Sequence, residues 1–352
     1  MNIPNLLYSG KIKEGHVQGI AIDEKRGYVY YSFTTLLLKT DFDGKHIGTV
    51  ENLIGHLGCI TFDPDRNRIY GSLELKHDAI GAGIEARTGK KLADEDCFYL
   101  VSFDCDLIDR MNMDAESDGI MKAMYLADVV RDFTGNERDG HPHRYGCSGF
   151  DGTAYGPALD GSGDRKITIA YGIYSDTERD DNDHQVLLQY SPDDVEKYGK
   201  VLTQAAPHHS GAECEKKYFF RTGNTDWGVQ NLEYDPYLNA YLVAVYTGRK
   251  SKFKNFPLFF IDASEIPTES ELIGRNGEMG LLLSPLKIGE VCEESGAYGS
   301  YFPLGSTGMV SLGGGEYLFS EPASPEPKYY CSTVKKYRFN SEKKDLFDEV
   351  AQ

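Results

Sequence analysis

The sequence lacks the features of a membrane, secreted or nucleic-acid-binding protein. No apolar run approaches the length of a membrane-spanning helix, and residues 1–15 have no basic lead followed by an apolar core. Positive charge is scarce: 37 Lys and Arg stand against 55 Asp and Glu, so the net charge of −18 repels phosphate backbones and anionic lipids. We therefore expect no membrane or nucleic-acid partner.

Cysteine is also used sparingly. The chain has 7 cysteines, an odd number, and none of them forms a C-x-x-C pair. This pattern predicts reduced thiols in a cytoplasmic protein, with neither a disulfide framework nor a structural zinc site.

Aromatic residues and glycine, in contrast, are abundant. The chain contains 24 Tyr, 17 Phe and 38 Gly, a composition that favours strands joined by frequent turns. A chain of 352 residues is longer than one ordinary core supports, so two domains or a repeat are expected.

A repeated phrase of alternating apolar residues supports the repeat. Its five copies are HVQGIAID, HLGCITFD, RYGCSGFD, GVQNLEYD and STGMVSLG, and they close at Asp23, Asp63, Asp151, Asp235 and Gly313. Each closing residue precedes turn-forming residues and a second apolar stretch, which predicts a hairpin. We therefore interpret Asp63, Asp151 and Asp235 as turn residues without a catalytic role.

Third and fourth strands complete each unit. The predicted fourth strands are HIGTV, MYLADVV, KYFFRTG and LLLSPLKIG, whereas the last unit lacks one and the first is preceded by a spare strand, NLLYSGKI. Small sheets of this kind bury both faces by stacking around an axis, and pairing the spare strand with the last unit leaves no exposed edge.

The predicted fold is therefore an all-β, five-bladed β-propeller, closed by pairing the N-terminal strand with the last blade. It forms a single domain over 1–352, with insertions at about 76–96, 109–123 and 191–217. A β-sandwich of tandem hairpins explains the alternation but not the spare strand. The pattern resembles β-propellers in general, such as the NHL-repeat and lactonase-type propellers, and it identifies no specific family.

Propeller geometry predicts where a ligand would bind. The loops into the first strands and those between second and third strands emerge on one face, around the central channel. Seven positions before the closing residues stand His16, His56, Arg144, Gly228 and Ser306. Five positions before them stand Gln18, Gly58, Gly146, Gln230 and Gly308.

Further candidates flank these columns. His143, Tyr145, Asp226, Trp227 and Tyr298 lie in the adjoining segments, and the indole of Trp227 suits stacking on a sugar. The loop carrying Arg249, Lys250, Lys252 and Lys254 is predicted to form a cationic wall for a carboxylate or phosphate.

The favoured hypothesis is an enzyme acting on a small, anionic, carbohydrate-like ligand such as an oligosaccharide. His16, His56 and His143 would act as bases or bind a divalent metal such as Mn, Ca or Zn, with Gln230 as a further ligand beside His16 and His56. Arg144 would neutralise a carboxylate, and Tyr145 or Tyr298 would donate a proton. This site type is similar to that of propeller polysaccharide lyases, including oligogalacturonate lyases, whose metal site uses His and Gln.

Two other interpretations remain open at this point. A lactonase-like or glycosidase-like hydrolase needs paired carboxylates or a carboxylate-held metal, for which Asp226, Glu74 and Glu321 are the candidates. A non-catalytic scaffold would instead bind its ligand or a partner at the channel mouth. Each histidine also has a structural interpretation, as a residue that hydrogen-bonds the neighbouring blade.

Overall fold

A computed structural model describes residues 3–13, 15–137 and 139–351. Over these residues the strands form five sheets, each a blade of a β-propeller, which confirms the predicted fold class. None of the helices in the described ranges combines the length and apolar character that a bilayer crossing requires.

The first two blades follow the repeat closely. The strands of the first blade are β2 (Val17–Asp23), β3 (Tyr28–Phe33), β4 (Leu36–Asp41), β5 (His46–Glu51) and, added in parallel, β9 (Met113–Asp114), while β1 (Leu6–Tyr8) belongs to the last blade. Those of the second are β6 (His56–Asp63), β7 (Arg68–Leu75), β8 (Cys97–Asp104) and β10 (Met121–Tyr125).

Short helices occupy loops around the second and third blades. They are α1 (Ala79–Thr88), α2 (Ala127–Thr134) and α3 (Pro192–Tyr198). Asp78 caps α1 by accepting hydrogen bonds from the Ile80 and Gly81 amides, and Ser191 forms a capping box with Asp194 at α3. The predicted strand MYLADVV is only half correct, because β10 ends at Tyr125 and the last residues of that segment begin α2.

The third and fourth blades contain added strands. The third consists of β11 (Cys147–Pro157), β12 (Arg165–Ile173), β13 (His184–Tyr190), β14 (Lys217–Arg221), β18 (Thr268–Glu271) and β19 (Met279–Leu282). The fourth consists of β15 (Thr225–Asp235), β16 (Ala240–Thr247), β17 (Leu258–Asp262), β20 (Glu290–Val291) and β21 (Tyr298–Ser300). The segment LLLSPLKIG, predicted as the fourth strand of the fourth blade, instead supplies part of β19, which pairs in parallel with β14.

The last blade closes the ring as predicted. It consists of β22 (Met309–Gly313), β23 (Glu316–Glu326), β24 (Tyr329–Phe339), β25 (Phe347–Glu349) and β1. In the antiparallel pairing of β1 with β24, Leu7 lies opposite Val334. The spare strand of the sequence thus becomes the outer strand of the fifth blade.

The core lies between the blades rather than at the channel. Each hydrophobic cluster joins two neighbours: one packs Tyr30 of the first blade on Leu73 and Tyr99 of the second. Another joins the last blade to the first: Leu318 and Val334 of the last blade belong to the same cluster as apolar side chains of β2, β3 and β4. Side chains on both faces of the middle strands are therefore buried, which stabilises the ring at every interface.

Asp151 does not end its strand, so its interpretation as a turn residue was wrong. Strand β11 continues to Pro157, and bulges on both sides of Phe150 shift its register against β12. Asp63 and Asp235, in contrast, do accept hydrogen bonds from turn amides. The Asp-Gly pair at 151–152 imitates a hairpin turn, but Gly152 packs within the strand against Ala170 and Val229.

Candidate functional site

A buried charged cluster lies where the innermost strands of the second and third blades begin, a face we call the upper face. His56 Nδ1 lies 3.4 Å from Asp151 Oδ1 and 3.7 Å from Glu74 Oε2. Lys76 Nζ lies 2.7 Å from the same Glu74 oxygen and donates a 2.9 Å hydrogen bond to the Ser148 carbonyl. We call His56, Glu74, Lys76 and Asp151 the channel cluster.

Glycine at two positions makes room for this cluster. A Cβ atom on Gly58 would lie 2.4 Å from Asp151 Oδ1, and one on Gly149 would lie 2.0 Å from Glu74 Oε1. Gly149 also has a φ of 112°, which L side chains rarely adopt. The bulged start of β11 lets the Phe150 amide donate a 2.6 Å hydrogen bond to Glu74 Oε1.

Burial and mutual charge set the protonation of the cluster. Desolvation raises the pKa of Glu74 to about 7; Lys76 opposes this shift, and the Asp151 carboxylate adds to it. Desolvation lowers the pKa of His56, but the hydrogen bond and charge of Asp151 and the charge of Glu74 outweigh it, so the pKa is raised. The cluster therefore holds a histidine that favours its protonated form.

His16 lies at the rim of the same channel, in the opposite electrostatic situation. Its Nδ1 lies 3.2 Å from Gln18 Nε2, and the buried Gln18 side chain reaches Thr34 Oγ1 at 3.4 Å. The His16 side chain is exposed, but partial desolvation still lowers its pKa, and the positive charges of His56 and Arg87 lower it further. Two channel histidines thus have pKa values displaced in opposite directions.

A cation-lined cavity adjoins His16. It has a volume of about 780 Å³ and lies between α1, the edge of the first blade and the last hairpin. Its cationic side chains are Lys13, Arg87, Lys90 and Lys328. Tyr330 also lines the cavity, and its ring centroid lies 6.3 Å from that of His16.

The predicted residues of the fourth blade also reach the channel. Gln230 Nε2 lies 3.4 Å from Asp151 Oδ2 and donates a 3.0 Å hydrogen bond to the Trp227 carbonyl. The Trp227 side chain is partly exposed, with a φ of 58°, and its ring packs edge-on against Tyr174. Asp226 is half-buried in the same strand, opposite Tyr246.

His143, Arg144 and Tyr145 differ in their relation to the channel, since the His143 ring lies 4.9 Å from that of Tyr174, the neighbour of Trp227. They lie just before β11, because the aligned turn at Asp151 is in fact inside that strand. His143 Nδ1 contacts the Phe133 carbonyl at 2.6 Å, while Arg144 and Tyr145 both bind Glu278, at 2.8 and 2.7 Å. These contacts tie the surface insertions of the third blade together.

The lysines of the predicted cationic wall at 249–254 are paired with acidic side chains. Lys250 is buried against Asp183 at 2.7 Å, Lys252 pairs with Asp180 and Lys254 with Glu290. Arg249 is exposed. The lysines therefore neutralise nearby acids.

The remaining candidates either lie in outer strands or contact side chains outside the channel cluster. Tyr298 belongs to β21, the fourth strand out from the channel in its blade. Glu321 contacts Tyr337 and Lys335 in its own blade. The carboxylate beside Glu74 is thus Asp151 rather than Asp226 or Glu321.

The structure brings together a group of metal-binding side chains other than the predicted set of His16, His56 and Gln230. Within the described ranges, one group of donors whose ligand atoms lie within 4.8 Å of one another is His56, Glu74 and Asp151. Lys76 already supplies a cation to Glu74, so a divalent ion there would meet an ammonium group.

Sequence reasoning missed Lys76, Arg87 and Asp151. Lys76 and Arg87 lie in the insertion at 76–96, which carries no motif. Asp151 was taken for a turn residue because Asp-Gly is a common turn sequence. One usable signal was the alternation of Glu74 and Lys76 at the end of β7, which directs both side chains to the same face of the strand.

The opposite mouth of the channel holds a second, smaller cavity of about 290 Å³. Glu233 lines it together with Ile20, Ile60 and Arg165, and its Oε1 accepts a 2.9 Å hydrogen bond from the Ser311 amide. Desolvation raises the pKa of Glu233 to about 8.

No protein-family model and no curated protein matches this chain. Among solved structures, a functionally unknown protein from Desulfotomaculum acetoxidans DSM 771 is 12% identical with a TM-score of 0.36, over 95% of this chain and 69% of that chain. The soluble aldose sugar dehydrogenase of Escherichia coli in the apo-form is 10% identical with a TM-score of 0.38, over 98% and 88%. Neither likeness carries an argument about this chain, whose propeller fold rests on its own sheet order.

Proposed function

We propose that this propeller binds a small anionic, carbohydrate-like ligand at the upper mouth of its channel and cleaves it by a lyase-type elimination. The observation that carries the proposal is that His16 interacts with the charge of a second histidine of opposite pKa displacement and packs near Tyr330, which lines a cation-lined cavity. Opposite displacement of two titratable neighbours is the usual arrangement of a catalytic acid and base.

The cavity supports an anionic ligand. Four cationic side chains line it, against the single carboxylate of Glu51 among its described lining, in a protein whose net charge is −18. Its volume of about 780 Å³ is in the usual range for small-molecule sites. A carboxylate-bearing sugar fits both properties, because the cations bind the carboxylate and the rim offers Trp227 for stacking.

The histidines support proton transfer in both directions. In the proposed step, neutral His16 removes the proton from the carbon next to the sugar carboxylate. The electron pair forms a carbon–carbon double bond, the bond to the glycosidic oxygen breaks, and that oxygen takes a proton from protonated His56. Cations at the carboxylate acidify the departing proton by stabilising the developing negative charge.

The other channel residues position these two groups. Gln18 holds the His16 ring, and Asp151 with Glu74 keeps His56 protonated. We assign no step to a metal, because Lys76 already supplies the counter-charge that one would provide.

A screen of uronic acid oligosaccharides tests the proposal, with ultraviolet absorbance of the unsaturated product as the readout. We expect product from the wild type and none from His16→Ala or His56→Ala, with unchanged circular dichroism. His141→Ala, an exposed histidine in the insertion before β11, is the matched control and keeps its activity. The rate should follow a bell-shaped pH profile, since the base titrates below and the acid above the ordinary histidine value.

The outcomes separate the alternatives. Tight binding of a uronate without product would replace the lyase by a binding scaffold. Failure of every uronate to bind would refute the anionic ligand itself.

A further inference from the structure

We infer that Glu95, Cys97 and His209 form a second site, away from the channel cluster, for a thiolate-binding divalent metal ion of the zinc class. Their ligand atoms all lie within 4.8 Å of one another, and His209 Nε2 lies 3.0 Å from Glu95 Oε2. The site joins the start of β8 and the residues just before it to the insertion at 191–217, so that a bound ion would fasten this insertion to the second blade.

The donor set suits zinc in type and charge. Zinc binds cysteine thiolate, imidazole and carboxylate, and a thiolate with a carboxylate neutralises its two charges. Tetrahedral coordination places neighbouring ligand atoms about 3.4 Å apart, so small shifts of the donors fill three of the four positions and leave the fourth to a water molecule. The Glu95 side chain is about half exposed, at 47%, which leaves room for that adjustment.

Both sides of the site are held in place before an ion binds. Cys97 is fully buried and opens β8, where it pairs with Leu75 of β7. The main chain on each side of His209 is fixed to the second blade: Tyr99 Oη donates a 2.6 Å hydrogen bond to the His208 carbonyl, and the Tyr125 amide donates a 2.9 Å hydrogen bond to the Ser210 carbonyl.

Aromatic packing orients the histidine itself. The Tyr125 ring lies 4.6 Å from that of His209. Such supporting contacts around a ligand are typical of built metal sites, because they hold its ring in one orientation.

This site differs from the channel cluster in its counter-charge. Glu74 is paired with Lys76, whereas the ion pair found for Glu95 within the described ranges is with His209. The expectation of no structural zinc rested on the missing C-x-x-C pair. That expectation does not apply here, since the donors include a single cysteine and come from two segments that are far apart in the sequence.

Cobalt titration of the metal-stripped protein tests the inference. We expect one equivalent of Co²⁺ to give the charge-transfer absorbance of a cobalt–thiolate bond, and Zn²⁺ to displace it. Cys97→Ser should abolish the band, and Glu95→Gln or His209→Ala should weaken Co²⁺ binding by about tenfold or more, the loss that even a supporting residue causes. Cys214→Ser is the matched control, since its thiol lies in the same insertion but outside the donor group.

Two further readouts make the result decisive. His56→Ala should keep the band, because the channel cluster contains no thiol. Zn²⁺ should raise the melting temperature of the wild type but not that of His209→Ala, whose exposed side chain can be removed without harm to the core. Absence of the band in the wild type, or its persistence in Cys97→Ser, would overturn the inference.

Discussion

His56 Nδ1 lies 3.4 Å from Asp151 Oδ1, although the two residues belong to different blades. His56 begins the innermost strand of the second blade, and Asp151 lies inside that of the third. The contact raises the pKa of the histidine at the interface between two repeats.

Replacing Asp151 should reverse this effect. In Asp151→Asn, desolvation is no longer offset by the hydrogen bond and charge of Asp151, so we expect the pKa of His56 to fall. Nuclear magnetic resonance titration of the imidazole measures the change, and the alkaline limb of any rate profile should move to lower pH. Asp226→Asn is the control at the same channel mouth, and an equal fall in that variant would contradict the specific contact.

Much of the fold follows from the period-2 alternation, because alternating apolar residues followed by turn-forming residues predict a hairpin wherever they occur. The closure by β1 was predictable for a similar reason: an unpaired strand edge at one end of the chain matched a spare strand at the other. The limits appear at Asp151 and at LLLSPLKIG. At Asp151, bulges keep the residue inside its strand, and at LLLSPLKIG, a long insertion changes which strand the segment pairs with. Both outcomes depend on tertiary packing, which the alternation of apolar residues does not encode.

Part of the candidate site was predictable from the repeat as well. His16, Gln18, His56 and Gln230 lie on innermost strands or at their entry, so their repeat offset placed them at the channel. Arg87 lies on α1, and its approach to His16 depends on how that insertion folds over the upper face. Repeat counting cannot supply that information.

The closing strand offers a matched pair of leucines. Leu7 is 2% exposed and packs in the cluster between the last and first blades, whereas Leu6, on the other face of β1, is 40% exposed. We expect Leu7→Ala to lower the free energy of unfolding by about 2–4 kcal/mol, because it leaves a cavity. Leu6→Ala should change it by less than about 0.5 kcal/mol. Urea denaturation measures both, and equal effects would show that β1 does not seal the ring.

Asn231 provides a second test of the ring. Its buried Nδ2 donates hydrogen bonds to the Gln18 carbonyl at 2.8 Å and the Ser306 carbonyl at 2.9 Å, so it ties the fourth blade to the first and to the start of the last. Asn231→Leu leaves both carbonyls unpaired, and we expect a loss of about 2–4 kcal/mol in the free energy of unfolding. Asn5→Ala, which removes an exposed hydrogen bond to Ala351, is the control and should cost little. A stable Asn231→Leu protein would mean that water replaces these bonds.

Glu233 at the lower mouth should make stability depend on pH. Its pKa rises from 4.5 to about 8 on folding, so the folded state holds this proton more tightly than the unfolded state. The stability that this proton provides is present below pH 4.5 and is lost as the pH rises towards 8, with a slope of at most about 1.4 kcal/mol per pH unit. Glu233→Gln still accepts the Ser311 hydrogen bond but does not titrate. Its free energy of unfolding should therefore fall less steeply over this pH range and exceed that of the wild type above pH 8. Urea denaturation at several pH values measures both curves. Glu269→Gln, on the exposed face of β18, should leave the pH dependence unchanged, and parallel curves for Glu233→Gln and the wild type would refute the assignment.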